Sequence, residues 1–388
     1  MNIARSLRRI AGWTAPLLGG VLLFLAPLRI GAKENPKVIC TVAQLTQALS
    51  TNESDDQLAA QIAGLELNER LSTDALQRLR EHMPGEKSKQ ALTMLADASS
   101  FLEPPDTEID NRTTPDAAAT RQMLVLLVSY VNTTLRQLPN FLVTKHATRF
   151  EDRPQEDALE ATGTVSYSFQ PLHYVGQSQE VLTYRNHGEV VDETLGQSMK
   201  QNQKSAGMAT SGEFGSVLIT VVADALKGRI TWARWEKSPA RTLAVFRFGV
   251  PEDKSNYRVK FCCIVEGFSS AGIPDQRLYD ERVPYHGEIA FDPDTGTIVR
   301  MMLQAEMPPR GLVSNAGIVV EYGPEEIGGK SYVCPQRSVS LLLAHTAQQS
   351  NAQSRSNYKG PVKTYLNDVT FDSYRRFGAE VRILPASQ

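Results

Sequence analysis

Cysteine is scarce in this chain, charge is nearly balanced, and no metal-ligand spacing occurs. Its four cysteines include no Cys-x-x-Cys pair, which argues against a metal cluster and against a fold built on disulfides. A formal net charge of −2 argues against nucleic acid as a partner, because neutralising phosphates requires a clear excess of lysine and arginine. The six histidines are scattered, so we expect neither a bound metal nor another cofactor.

Long hydrophobic runs are absent after residue 32. The one such run extends from Ile10 to Leu28, after a start with three arginines and before the small pair Gly31–Ala32. This order is typical of a secretory signal peptide, so we predict that residues 1–32 are removed and that no later segment spans a membrane. The mature protein is then periplasmic or secreted. At 19 residues, the run could instead remain as a membrane anchor.

Residues 33–138 have the apolar spacing of short helices, which predicts a small helical N-terminal region. Thr114 and Pro115 are suited to begin the last and longest helix, and Pro139 ends it. The apolar positions are Val42, Leu45, Leu49, Leu58, Ile62, Leu65, Leu76, Leu79, Met83, Leu92, Leu95, Ala96, Met123, Leu127, Tyr130, Val131 and Leu138.

Over residues 139–384 the apolar period changes to two, which predicts antiparallel strands with one buried and one solvated face. One helix interrupts them over about residues 214–227, with an apolar stripe and Gly228 as its stop. The predicted fold class is α+β: a small helical N-terminal region, then a curved antiparallel, open-barrel-like sheet with an inserted apolar helix.

A ligand pocket is predicted where the inserted helix faces the strands. A single strongly apolar helix is too small to cover the apolar faces of all the predicted strands, which leaves room for a ligand. Methionine side chains at the edge of the sheet are flexible enough to adapt to one. The alternative is that helices fill the sheet completely and that the two tryptophans belong to the core. The predicted lining residues are Val217, Leu218, Val221, Val222, Trp232, Trp235 and Met301.

Catalytic signals are incomplete, so an enzyme is the less favoured hypothesis. Gly267–Ala271 resembles a nucleophile elbow but lacks its last glycine. His286 with Glu288, and His187 with Glu189, alternate onto the same strand face and could form acid–base pairs. The alternative is that these are ordinary solvated strand residues.

A disulfide is predicted between Cys262 and Cys334, provided that their strands are neighbours. Cys262 alternates with Lys260 onto a polar face, where a bridge would displace no core side chain. Cys263 is the other possible partner, and Cys40 is expected to stay apart. Closing a loop of about 70 residues would contribute roughly 4 kcal/mol in the chain-entropy model.

Three stretches of the strand region resemble the outer-membrane lipoprotein carrier and periplasmic sigma-regulator superfamily. They are Val181–Val190, Tyr285–Arg300 and Tyr365–Phe371. The resemblance implies a curved open sheet that wraps around helices and holds acyl chains or a peptide, and it assigns no functional residue. The helical front and the later hairpin are also similar to a set of uncharacterised exported bacterial proteins.

Taken together, these patterns predict a non-catalytic binding protein of the cell envelope. Its partner would be an apolar ligand, such as a lipid or an acyl chain, or another envelope protein. The alternatives are a secreted hydrolase-like enzyme and a purely structural envelope module.

Overall fold

The computed structural model describes residues 37–49, 53–133, 137–156, 167–186, 188–190, 213–268, 274–308, 311–347 and 359–376. All of them belong to one compact unit within Asn35–Gln388. The predicted signal segment, residues 1–32, and His187 lie outside the described residues, as do the side chains of Cys262 and Cys263.

The described residues form six helices, and the first four make a small bundle. The helices are α1 (Val42–Ala48), α2 (Asp55–Ala63), α3 (Thr73–Glu81), α4 (Glu86–Ser99), α5 (Ala117–Thr133) and α6 (Ser216–Lys227). A capping box begins α1: the Thr41 hydroxyl accepts from the Gln44 amide, and the Gln44 side chain accepts from the Thr41 amide. Gly215, before α6, has a φ of 128°, which side chains other than glycine rarely tolerate.

The strands follow the predicted switch to a period of two. They are β1 (Val38–Cys40), β2 (Leu65–Leu67), β3 (Ile109–Asp110), β4 (Phe141–Glu156), β5 (Tyr167–Arg185), β6 (Gly188–Val190), β7 (Arg229–Lys237), β8 (Thr242–Val250), β9 (Arg258–Phe268), β10 (Pro274–Arg282), β11 (Tyr285–Phe291), β12 (Ile298–Ala305), β13 (Val313–Glu326), β14 (Ser331–Ala347) and β15 (Lys359–Arg376).

Eleven of these strands form one antiparallel sheet, in the order β3-β7-β8-β11-β12-β13-β14-β15-β4-β5-β6. Among the described strands this sheet does not close into a barrel, so the α+β prediction with an open antiparallel sheet is confirmed. The β9–β10 hairpin stands outside the sheet and packs on one end of it, where Phe261 lies 5.2 Å from the ring of Tyr365.

One face of the sheet carries the main apolar core, with α5 and α6 packed on it. Leu127 of α5 and Val221 of α6 are buried in the same cluster as Phe246, Ile289 and Met301. Those three strand residues are directly cross-strand neighbours. Burial of these aliphatic and aromatic groups, each contributing about 1.5–3 kcal/mol, explains why the inserted helix is held there.

The opposite face is covered by the α1–α4 bundle, whereas the sequence pattern predicted a solvated face. Val245 and Ala290 are buried on that side, and Met94 of α4 packs against Val339 and Leu366. The prediction was wrong because charged residues interrupt the apolar ones on this face. Most of these charges are paired across the interface and buried, whereas Arg247 and Glu103 at its border are exposed.

Candidate ligand-binding groove

A groove of about 270 Å³ lies on the α6 side of the sheet, between the start of α6 and the start of β9. Val217 and Thr220 form one wall, and Tyr257 and Val259 form the other. The floor belongs to β13 and β14. Its lining residues are Ser216, Val217, Thr220, Asn256, Tyr257, Arg258, Val259, Lys260, Ala316, Gly317, Ile318, Ser340, Leu341 and Leu342.

The spacing between the two walls is fixed by a buried carboxylate, Asp224 of α6. It accepts hydrogen bonds from the backbone and side-chain nitrogens of Asn256, each 2.6 Å away, and from the Tyr285 hydroxyl at 3.1 Å. Charge-assisted bonds of this kind are about twice as strong as neutral ones. Asp224 therefore ties the first residues of β9 to the helix.

The groove floor is mostly apolar with one buried hydroxyl. Ile318 pairs with Ser340, and Ala316 pairs with Leu342, so all four side chains lie on the same face of the sheet. Ser340 is only 1% exposed and its hydroxyl has no hydrogen-bond partner. An apolar surface with a few polar groups is the usual composition of a small-molecule site.

Two cations stand at the rim of the groove. Arg258 Nε lies 2.6 Å from Asp280 Oδ1, and Lys260 Nζ lies 3.8 Å from Asp280 Oδ2. Both cations are substantially exposed, so these ion pairs contribute little to stability. They give the mouth of the groove a charged border beside an interior that combines apolar and polar side chains.

The structure brings one of the seven predicted pocket residues to this groove. Val217 lines it, while the others pack elsewhere among the described residues. Leu218, Val221 and Val222 face the strands from α6, and Met301 is fully buried within β12. These four belong to a filled core, which is the alternative that the sequence left open.

The two predicted tryptophans form an edge-to-face pair at the rim of the core. Their ring centroids are 4.6 Å apart, although a spacing of three residues normally places strand side chains on opposite faces. An irregularity between Trp232 and Arg234 shifts the register and turns both rings to one side. The Trp235 indole N–H donates to the Thr113 carbonyl at 3.0 Å.

A layer of ion pairs between the sheet and the α1–α4 bundle is the main charged cluster. Glu236 is 2% exposed and accepts from Arg70 at 2.6 Å and from Arg300 at 2.8 and 2.9 Å. Burial alone would raise the pKa of Glu236, but the surrounding guanidinium groups outweigh it and hold that pKa well below its usual range. Both oxygens of this carboxylate therefore accept hydrogen bonds from arginines that hold the bundle against the sheet.

A second part of the same layer contains Asp97 of α4. Its Oδ1 accepts from Arg337, which also donates from Nε to Asp368 Oδ1 at 2.8 Å. Asp97 is fully buried and its Oδ2 has no hydrogen-bond partner. Burial, with the nearby Asp368 carboxylate adding to it, raises the pKa of Asp97 well above its ordinary value.

The two residues of the candidate acid–base pair on β11, His286 and Glu288, pair with other side chains and not with each other. Glu288 accepts from Arg234 at 2.6 Å and from Arg247 at 2.8 Å, while His286 Nδ1 lies 3.3 Å from Glu306. Burial opposes the ionisation of Glu288, but these arginines prevail and lower its pKa. A carboxylate held in this way is a weak general base.

Cys334 carries a free, fully buried thiol. The β9 strand approaches β14 near Leu342, since Val259 and Phe261 share a cluster with Leu342. Cys334 lies eight residues away along β14, roughly 26 Å in an extended strand. The side chain of Cys262 lies outside the described residues, so its disulfide with Cys334 stays a prediction.

Sequence analysis missed Ser340, Tyr257 and Leu342. The aliphatic residues Val339 and Leu341 of β14 face the α1–α4 bundle. The two buried serines at 338 and 340 occupy the face toward α6 instead. Serines that alternate with aliphatic residues were the available signal.

Within the described part of the chain, no group of three or more His, Cys, Asp or Glu residues could hold a metal ion. No helix among those residues is both long and apolar enough to cross a membrane. Comparison with protein-family models, with curated proteins and with solved structures found no match to this chain.

Proposed function

We propose that this is a non-catalytic binding protein of the cell envelope, which holds the apolar part of a lipid or acyl-chain ligand in the groove between α6 and β9. The observation that supports it is the groove itself, with Val217, Ile318 and Leu342 around a buried hydroxyl. Ligand pockets are commonly about 300–1,000 Å³. The groove volume of about 270 Å³ suits one chain segment better than a bulky ring system.

Export belongs to the same proposal. The basic start, the apolar run and the small residues before residue 33 support delivery across a membrane. N-terminal sequencing of the purified mature protein tests it: a start near residue 33 is expected, whereas an intact Met1 in the membrane fraction would replace cleavage by anchoring.

Binding is tested by titrating the purified protein with a neutral fluorescent dye that brightens in apolar surroundings. The wild-type protein is expected to bind the dye saturably, and compounds with a twelve-carbon chain are expected to displace it. Val217→Phe puts an aromatic ring into the groove and should weaken binding by about tenfold or more, the equivalent of about 1.4 kcal/mol.

The matched control is Ile219→Phe, because Ile219 is on the same helix with 42% of its surface exposed. It should leave the affinity unchanged. Equal loss in both variants, or no saturable binding to the wild type, would contradict the proposed function.

A further inference from the structure

The apolar face of the sheet becomes polar at β14, beside the groove. Two cross-strand rows run through this face. One row is Phe246, Ile289, Met301, Val320, Ser338 and Val369, and the other is Phe248, Gly287, Leu303, Ile318, Ser340 and Asn367. Both rows are apolar as far as β13 and then reach a serine. Ser338 and Ser340 are each 1% exposed, and neither hydroxyl has a hydrogen-bond partner in the described part of the chain.

A buried carboxylate lies close to the same strip. Glu213 is in the turn that leads into α6 and is completely buried, and neither of its carboxylate oxygens has a hydrogen-bond partner among the described residues. Lys145 Nζ of β4 is 3.8 Å from Glu213 Oε1 and equally far from Glu180 Oε1. The hydroxyl of Tyr322 on β13 is also buried without a partner.

Glu213 lies behind the groove floor, because the adjacent Phe214 packs on Phe371 at 4.9 Å between ring centroids, and Phe371 shares a face of β15 with Val369, the cross-strand partner of Ser338. Burial raises the pKa of Tyr257, which lines the groove, to about 12, and the Glu213 charge adds to that rise. The pKa of Tyr322 is raised by the same two causes in the same order. Ser338 is one strand repeat, about 7 Å, from Ser340 on the groove floor. Ser340 lines the groove, and Ser338, Tyr322 and Glu213 are buried behind it, so the polar strip of these four residues begins at the groove floor.

Polar atoms buried without partners are rare, and each calls for a physical explanation. Leaving them desolvated is costly, so a molecule that supplies the missing hydrogen bonds binds with a corresponding gain. Glu213 needs donors when ionised, whereas the serine and tyrosine hydroxyls can donate or accept. A head group with several hydroxyls satisfies both requirements.

The charges decide between a neutral head group and an ionised one. Glu213 and Lys145 lie 3.8 Å apart and together supply no net charge to an ionised head group. Bringing a carboxylate or an ammonium group against this buried strip without a counter-ion of its own is therefore costly. We infer that the groove takes a single-chain lipid with a neutral, hydroxyl-bearing head group, with the tail along Val217 and the hydroxyls against the polar strip.

This inference rests on the proposed function and is tested with ligands that share a twelve-carbon chain. Monolaurin has two free hydroxyls, methyl laurate has none, laurate is anionic and dodecylamine is cationic. Displacement of the fluorescent dye from the full-length protein gives their relative affinities. We expect monolaurin to bind about tenfold more tightly than methyl laurate, and laurate to bind most weakly.

Two variants locate the preference in the strip. Glu213→Gln keeps the size of the side chain and removes its charge, so the discrimination against laurate should fall by about tenfold. Ser340→Ala should weaken the binding of monolaurin and leave the affinity for methyl laurate unchanged. Glu252→Gln is the matched control, since Glu252 is exposed outside the groove, and it should change nothing. Circular dichroism of each variant establishes that it is folded.

The possible results separate the two proposals. If none of the four compounds binds, the proposed function fails. If all bind equally, or if laurate or dodecylamine binds most tightly, the groove binds apolar chains and the inferred head group is wrong. A Glu213→Gln variant that is folded and keeps the wild-type ranking also overturns the inference.

Discussion

Removing the charge of Glu236 should strongly destabilise the protein. Glu236 is 2% exposed and lies among the guanidinium groups of Arg70, Arg300 and Arg234, at 2.6 to 3.1 Å. Glu236→Gln would leave these buried cations without their shared counter-ion. Breaking a buried pair in this way typically costs about 3–5 kcal/mol, whereas an exposed pair contributes about 0–1 kcal/mol.

Urea unfolding, followed by circular dichroism and by tryptophan fluorescence, measures the effect. The matched control is Glu86→Gln, because Glu86 pairs with Lys89 at 2.9 Å on the surface with 76% of its side chain exposed. We expect a loss of about 3–5 kcal/mol for Glu236→Gln and less than about 0.5 kcal/mol for the control. A loss below about 1 kcal/mol at Glu236 would refute the view that this layer is desolvated and tightly paired.

The pH dependence has a definite sign for this group. The folded-state pKa of Glu236 is lowered, so its contribution is fully present above the unfolded value of about 4.3. That contribution is lost as the pH falls toward the folded value. Acid unfolding of Glu236→Gln should therefore begin from a lower stability and show a smaller change with pH than in the wild type.

Three further predictions follow from buried groups. Because the pKa of Asp97 is raised in the folded state, its ionisation lowers the free energy of unfolding as the pH rises above about 3.9. Asp97→Asn should therefore raise the melting temperature at neutral pH and flatten its dependence on pH. A lowered melting temperature at neutral pH would contradict this. Leu218→Ala should lower the free energy of unfolding in urea by about 2–5 kcal/mol, because the side chain is 1% exposed in a packed core. The control is Ile219→Ala at an exposed position of the same helix, and an equal loss in both variants would place Leu218 outside the core. Cys334 should react with a thiol reagent only after unfolding, since it is fully buried and burial raises its pKa to about 12; fast labelling of the native protein at this residue would show otherwise.

Hydrophobic periodicity predicted most of the secondary structure. The apolar stripe that ends at Gly228 predicted α6, and Leu218, Val221 and Val222 do face the core from it. The switch from a period of 3.6 to a period of two predicted the strands, because each side chain's direction is set locally by the backbone. These features depend on neighbours in sequence, so a single sequence contains them.

The groove and the ion-pair layer depend on contacts between distant segments. Arg300, Glu321 and Arg337 are directly opposite one another only through the strand register, which the pattern of alternation does not specify. Charged strand residues were accordingly interpreted as solvated. The groove was missed for a similar reason, because Val217, Tyr257 and Ser340 come from three separate elements.

The most direct test of the account is to locate a bound lipid on the protein. Monolaurin with a photoreactive group in its tail is irradiated with the full-length protein, and the labelled peptides are identified by mass spectrometry. The account predicts labels on residues that line the groove, around Val217, Tyr257 or Leu342, and their loss in Val217→Phe but not in Ile219→Phe. Labelling that excludes these segments, or that is unchanged in Val217→Phe, would contradict it.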